Sequence, residues 1–132
     1  MPRKTDSRNP ADWLLIVGEE LGFLRPHVDA GQYPDICRAR LAEALEKILK
    51  AELIRLGWPL TKTHDLEILS GELRARGSDL LPAIEPLCAA LAEAYFTGRY
   101  PGFDLEDPDW PVLRAQLAAI TALAATIRGR LT

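Results

Sequence analysis

A long run of apolar residues at helical spacing, from Pro34 to Leu56, constrains this chain more than any other feature. The run keeps its period of three or four residues for about six turns, which excludes a strand, whose side chains alternate with a period of two. Gly57 and Pro59 follow directly and end the predicted helix. Its apolar face must pack against other elements. The repeating positions are Cys37, Leu41, Ala44, Leu45, Ile48, Leu49, Leu53 and Leu56.

A second helix is predicted before this one, from about Ala11 to Gly31. Asn9 can accept a hydrogen bond as its N-cap, and Pro10 suits the first helical position because no donor is needed there. Pro26 is expected to kink or shorten the last turn, because a proline inside a helix removes one backbone hydrogen bond. The apolar positions of this helix are Leu14, Val17, Leu21, Leu24 and Val28.

Three more helices are predicted in the second half of the chain. Thr63 is the expected N-cap of one that ends near Gly77, and another follows Ser78 and ends at Gly98. The proline-rich segment 99–111 predicts an ordered loop, and the last helix follows it. The buried positions expected in these helices are Leu66, Leu69, Leu73, Ile84, Leu87, Leu91, Ala94, Tyr95, Leu113, Leu117, Ile120, Leu123, Ala124 and Ile127.

Short connections between long amphipathic helices favour antiparallel neighbours. The sequence therefore predicts an all-α fold, an up-and-down bundle of four or five antiparallel helices. One domain at residues 9–132 and a flexible tail at residues 1–8 are expected. With 132 residues, of which 48% are hydrophobic, the chain can build a core without a disulfide. Cys37 and Cys88 lie in apolar stretches and are predicted to be buried, reduced thiols.

The charge and the scattered polar residues exclude several classes of function. Sixteen basic against nineteen acidic residues give a net charge of -3, so any RNA contact requires a local basic patch. No uncharged apolar stretch reaches about 18 residues and no signal peptide is evident, which predicts a soluble cytoplasmic protein without membrane contact. The spacing of His and Cys predicts no metal site, and no glycine-rich phosphate loop or other cofactor site is expected.

The polar side of the long helix has two open interpretations. Glu43 with Lys47, and Glu46 with Lys50, have the favourable spacing of four residues, which is typical of solvated ion pairs on an exposed face. Alternatively, the two lysines together with Arg38 and Arg40 line a groove that attracts nucleotide phosphates.

Several motifs together resemble the prokaryotic HEPN domains. They are the run Glu46–Ala51, the Gly57-Trp58-Pro59 stop, the segment Lys62–Leu66 and the triplet Arg99-Tyr100-Pro101, and the similarity extends from Asp12 to about Arg128. HEPN domains are small helical bundles, often encoded beside minimal nucleotidyltransferases. The resemblance implies a homodimer that binds nucleotide or RNA and accompanies a nucleotidyltransferase in a toxin-antitoxin-type module.

The sequence departs from the family where ribonuclease activity is concerned. Ribonuclease members have an Arg followed four to six residues later by a His, but Asp104 and Leu105 stand five and six residues after Arg99. Arg40 and Glu43 also replace a His and a Gln that many members carry on the long helix. Because Arg cannot exchange a proton near neutral pH, the chain is predicted to lack the usual HEPN ribonuclease mechanism.

Four residues remain as candidates for a site. Arg99 and Tyr100 suit a phosphate contact and base stacking, or else a helix cap and core packing. His64 and Asp65 suit proton transfer beside Arg99 in a divergent, metal-independent ribonuclease toxin, or else the first turn of a helix. A purely structural homodimeric module is the third alternative.

Overall fold

The computed structural model describes residues 7–94 and 109–131. These residues form five α-helices and no strand: α1 (Pro10–Ala30), α2 (Pro34–Arg55), α3 (Leu66–Ala75), α4 (Leu81–Leu91) and α5 (Trp110–Gly129). The chain is therefore an all-α helical bundle, as the sequence predicts.

The longest helix, α2, lies at the centre and packs against each of the other four. The contacts of α1 give the directions of its neighbours. Trp110, which begins α5, lies beside Gly31 at the end of α1, whereas Arg128 near the end of α5 lies beside Gly18. Contacts from α1 to α2 likewise join early positions of one to late positions of the other, such as Trp13 to Lys50. Thus α1 runs antiparallel to both α2 and α5.

The core contains the positions that the helical period predicts. All of those in the described residues are buried except Leu56, which is half-buried, and Tyr95 lies outside the described residues. Each fully buried leucine or isoleucine contributes roughly 1.5–3 kcal/mol relative to an exposed one. Cys37 and Cys88 are buried and unbridged, and burial raises the pKa of both thiols, that of Cys88 to about 12.

The first two helices begin and end close to the predicted residues. The Asn9 side chain accepts from the Ala11 N–H, and Gly31 closes α1 with a left-handed φ of 67°. Pro26 does not shorten α1, which continues to Ala30, and the alternative of a kink at Pro26 stays a prediction. Tyr33, the residue before α2, also adopts a left-handed φ, 58°.

The later helix ends correct two predictions, and a third falls outside the described residues. Asp65, not Thr63, is the N-cap of α3: its carboxylate accepts two backbone N–H groups, whereas the Thr63 hydroxyl accepts only from the Asp65 N–H. Pro111 lies in the first turn of α5, not in the loop, because Asp109 caps this helix. The helix α4 ends at Leu91, and the predicted end at Gly98 lies outside the described residues.

Two further features concern the ends of the chain. Of the predicted tail, Ser7 is bound to α1, since its carbonyl accepts from the Trp13 indole N–H at 2.7 Å, and residues 1–6 lie outside the described part.

Among the described helices, only α5 is long and apolar enough to cross a membrane, by length and composition alone. Here α5 packs against α1 and α2 as a side of the bundle.

Candidate functional site

One face of α2 carries polar residues that recur every three or four positions. Arg40, Glu43, Glu46, Lys47 and Lys50 form this face, and we call them the polar strip. The helix α1 borders the strip on one side, and the connection between α2 and α3 borders it on the other. The strip therefore lies where three parts of the chain meet.

The buried part of the strip is an ion pair between Lys50 and Glu46. Lys50 Nζ lies 3.0 Å from Glu46 Oε2, and the two side chains are only 6% and 9% exposed. Trp13 of α1 covers the pair, with its ring centroid 5.4 Å from Lys50 Nζ, a cation–π distance. The interpretation of this pair as solvated is wrong, because the indole removes it from water.

Lys47 pairs across helices and not along its own. Its ammonium donates to Glu20 of α1, while Glu43 accepts from Arg40 Nη1 at 3.3 Å. The predicted pair of Lys47 with Glu43 is therefore not the one formed. Burial raises the pKa of Glu20, although Lys47 opposes the shift. The second oxygen of Glu20 is buried and has no hydrogen-bond partner among the described residues.

His64 reaches the strip from the connection before α3. Its Nδ1 lies 3.0 and 3.2 Å from the two carboxylate oxygens of Glu46, and its side chain is 64% exposed. Lys50, Glu46 and His64 thus form a chain of polar contacts from the interior to the surface. A carboxylate bound to one ring nitrogen orients an imidazole, which is the arrangement that proton-transfer histidines use.

The other predicted site residues have different surroundings. Asp65 uses its carboxylate to cap α3, so a structural role accounts for it. Arg40 is 52% exposed at one end of the strip and keeps further N–H donors beyond its contact with Glu43. Lys47 and Lys50 both contact carboxylates, and their contact with phosphate stays a prediction. Arg99 and Tyr100 lie outside the described residues, so the pairing of Arg99 with His64 also stays a prediction.

Sequence reasoning missed the two residues that α1 contributes, Trp13 and Glu20. Glu20 was open to recognition, because it stands three residues after Val17 and four before Leu24, beside the apolar stripe of α1. A carboxylate there borders the interior and needs a cationic partner. Trp13 gives no comparable signal, because an indole over an ammonium and an indole in a core have the same sequence pattern.

A second buried carboxylate, Glu52, lies outside the strip. Its side chain is fully buried and contacts Arg55 at 2.5 Å and Arg130 at 3.3 Å. Arg130 also forms a bidentate pair with Asp79, with both distances 2.8 Å. These contacts join the last turn of α2 to residues next to α4 and α5, and both carboxylates already have a cationic partner. In residues 7–94 and 109–131, no group of three His, Cys, Asp or Glu side chains is placed to hold a metal ion.

Comparison with known proteins gives one family match. The family model of the HEPN domain matches residues 12–124, a range that contains the whole polar strip. Searches of curated proteins and of solved structures found no match.

Proposed function

Because the chain belongs to the HEPN domain family, we propose that it is a nucleotide- or RNA-binding accessory protein and not a ribonuclease of the usual type. In this proposal it acts as a cytoplasmic homodimer beside a minimal nucleotidyltransferase, in a bacterial toxin-antitoxin-type module. The observation that supports binding is the exposure of Arg40 and His64, which carry donor groups at the surface of the polar strip.

The two exposed donors suit a phosphate group. A guanidinium can give a phosphate two parallel hydrogen bonds, and an imidazole N–H can add another. Glu43 and Glu46 lie next to these donors and weaken the attraction, so we expect weak binding whose affinity falls with salt only as far as two phosphate contacts allow. Tyr100 remains the proposed residue for base stacking, with Arg99 as a further phosphate contact.

Binding of fluorescent RNA and of a labelled nucleotide, followed by anisotropy, tests the strip. We expect Arg40→Ala and His64→Ala each to weaken binding about 10-fold, the loss of one charge-assisted hydrogen bond. Arg74→Ala is the matched control, because Arg74 is 63% exposed and pairs with Glu85 as Arg40 pairs with Glu43. Equal binding by all four proteins would exclude the strip as the binding surface.

The partner is tested separately. The chain is co-expressed with the nucleotidyltransferase encoded beside it, and the two proteins are passed through a gel-filtration column. Co-elution supports the accessory role. Separate elution at concentrations where each protein is folded counts against it.

One observation favours a second candidate, a divergent ribonuclease. Glu46 Oε1 lies 3.0 Å from His64 Nδ1, and in this second proposal the exposed imidazole accepts the proton of a ribose 2′-hydroxyl whose oxygen attacks the adjacent phosphorus. The P–O5′ bond then breaks, the leaving 5′-oxygen takes a proton from the imidazolium or from water, and a 2′,3′-cyclic phosphate remains. A time course with labelled structured RNA distinguishes the two candidates. Cleavage that is lost in His64→Gln, Glu46→Gln and Arg99→Ala would establish the enzyme, and no cleavage by a protein that binds RNA would support the accessory role. Asp65→Asn, which retains a good N-cap, tests Asp65 as a base.

A further inference from the structure

The outer side of α5 is unusually apolar for a surface. The helix buries one side in the bundle, yet only 33% of its apolar 18-residue window is buried. Five of the eleven exposed positions of α5 are alanines, at 115, 118, 119, 122 and 125. Next to it on α1, Leu15 is 69% exposed. We call the surface along the seam of these helices the α1/α5 face.

The α1/α5 face contains two shallow depressions. One lies near the start of α1, has a volume of about 600 Å³ and is lined by Leu15, Gly18 and Leu131. The other lies near the end of α1, has a volume of about 480 Å³ and is lined by Ala118 and Ala122 of α5. Both are lined mainly by apolar atoms, so covering them with another apolar surface is favourable, because it removes that surface from water.

Charged residues stand at both depressions, with the signs divided between the helices. The helix α5 has no acidic residue and supplies Arg128 to the first depression and Arg114 to the second. The helix α1 supplies Glu19 to the first and Asp29 to the second. Arg25 of α1, at the second depression, is the one exception. Each arginine of α5 is therefore level with a carboxylate of α1.

We propose that the α1/α5 face binds a second copy of this chain, about a two-fold axis parallel to the two helices. Such an axis lays α1 of one chain on α5 of the other and keeps each residue at its height along the seam. Arg114 then meets the partner subunit's Asp29, and Arg128 meets the partner subunit's Glu19. This self-complementary arrangement is what an isologous contact requires, and it identifies the occupant as another copy.

This inference rests on the homodimer of the proposed function, and it adds which surface joins the two chains. Light scattering during gel filtration tests it with Asp29→Arg, Arg114→Asp and the double variant. Each single variant places like charges together at two symmetry-related contacts, so we expect at least a 10-fold rise in the dissociation constant of the dimer. The double variant and an equimolar mixture of the single variants restore a dimer.

The mixture is the decisive sample. Each single variant has like charges at positions 29 and 114 of the same chain, and mixing the variants cannot change this. Mixing can restore only a contact between position 29 of one chain and position 114 of the other. Glu85→Arg is the control, because it reverses an exposed charge on α4 and should leave the dimer unchanged. Circular dichroism verifies that every variant is folded.

The outcomes separate the face from the homodimer itself. A dimeric wild type whose single variants remain dimeric, or whose mixed single variants remain monomeric, overturns the face and leaves the homodimer in place. A wild type that is monomeric at every concentration overturns both. RNA binding by Arg40 and His64 is measured independently of either result.

Discussion

Glu46 is the residue on which the polar strip depends, because it contacts Lys50 in the interior and His64 at the surface. A buried carboxylate is stable only with partners that replace its water, and here an ammonium and an imidazole do so. Glu46 therefore couples the surface to the interior, because the carboxylate that lies 3.0 Å from His64 Nδ1 also accepts from Lys50.

Glu20 should make the stability of the protein depend on pH in a measurable direction. Burial raises its pKa in the folded chain, so the folded state holds the proton more tightly than the unfolded state. Its favourable contribution is complete below the unfolded pKa and is lost as pH rises through the raised value. Glu20→Gln behaves as a permanently protonated Glu20. We therefore expect this variant to gain stability relative to wild type between pH 4 and pH 7, measured by urea unfolding at both values.

Wild type and Glu20→Gln are unfolded in the same buffers, so effects of pH on the rest of the chain are common to both proteins and cancel in their difference. A difference that stayed constant from pH 4 to pH 7 would require Glu20 to keep the same pKa in the folded and unfolded chain.

At the scale of single residues, the sequence predicts which groups are polar but not which groups pair. The rule for residues four apart gives Glu46 with Lys50 correctly, because both belong to one helix. It fails for Lys47, whose partner Glu20 lies on α1. It also cannot show burial, since the indole that covers Lys50 comes from Trp13. The pairing of Lys47 with Glu20 and the burial of Lys50 by Trp13 both depend on how α1 packs against α2. The spacing of residues within one helix carries no information about that packing.

At the scale of elements, α3 is the helix most dependent on its ends. It has ten residues, and an isolated helix of that length is marginal in water. Asp65 satisfies two of its first backbone N–H groups, and Leu66, Leu69 and Leu73 attach it to the core. The cap and the packing therefore act together to keep the connection that carries His64 in place.

Removal of the cap tests which residue begins α3. Asp65→Ala should lower the free energy of unfolding by about 1 kcal/mol, whereas Asp65→Asn should leave it nearly unchanged. Thr63→Ala should have a smaller effect than Asp65→Ala, because the Thr63 hydroxyl accepts only one hydrogen bond, from the Asp65 N–H. The comparison is made by urea unfolding of the three variants. A larger loss of unfolding free energy in Thr63→Ala than in Asp65→Ala would mean that Thr63, and not Asp65, is the N-cap of α3.

The helices themselves follow from the apolar period, whereas some of their ends do not. Asn9 is predicted correctly because Pro10, which suits the first helical position, follows it directly. Before α3, Thr63 and Asp65 are both good caps two residues apart, and the sequence does not show that α3 begins at Leu66, directly after Asp65. Pro111 looks like a loop residue but also suits a first turn, and Asp109 decides in favour of the helix.

At the scale of the whole molecule, Glu52 joins parts of the chain that are distant in sequence. It lies on the central helix α2 and contacts Arg130 just beyond the end of α5, and Ser78 before α4 at 3.5 Å. Arg130 extends the connection to Asp79. The pKa of Asp79 is lowered, chiefly by its hydrogen bond with Arg130. Burial would have the opposite effect, because it raises the pKa of a carboxylate.

Neutralising Glu52 should weaken the whole bundle and not one helix. Glu52→Gln keeps the shape of the side chain but leaves Arg55 and Arg130 without the buried charge that they share, and we expect a loss of about 2–4 kcal/mol. Glu72→Gln is the matched control, since Glu72 is 40% exposed and pairs with Arg76, the residue that follows α3, so its loss should be at most about 0.5 kcal/mol. Urea unfolding followed by both tryptophan fluorescence and circular dichroism measures the two variants. Because α2 contacts every other described helix, the two signals should coincide in one transition with an unchanged m-value. Separate transitions in Glu52→Gln would instead mean that α5 leaves the bundle while α1 and α2 remain folded, and that Glu52 holds one helix and not the molecule.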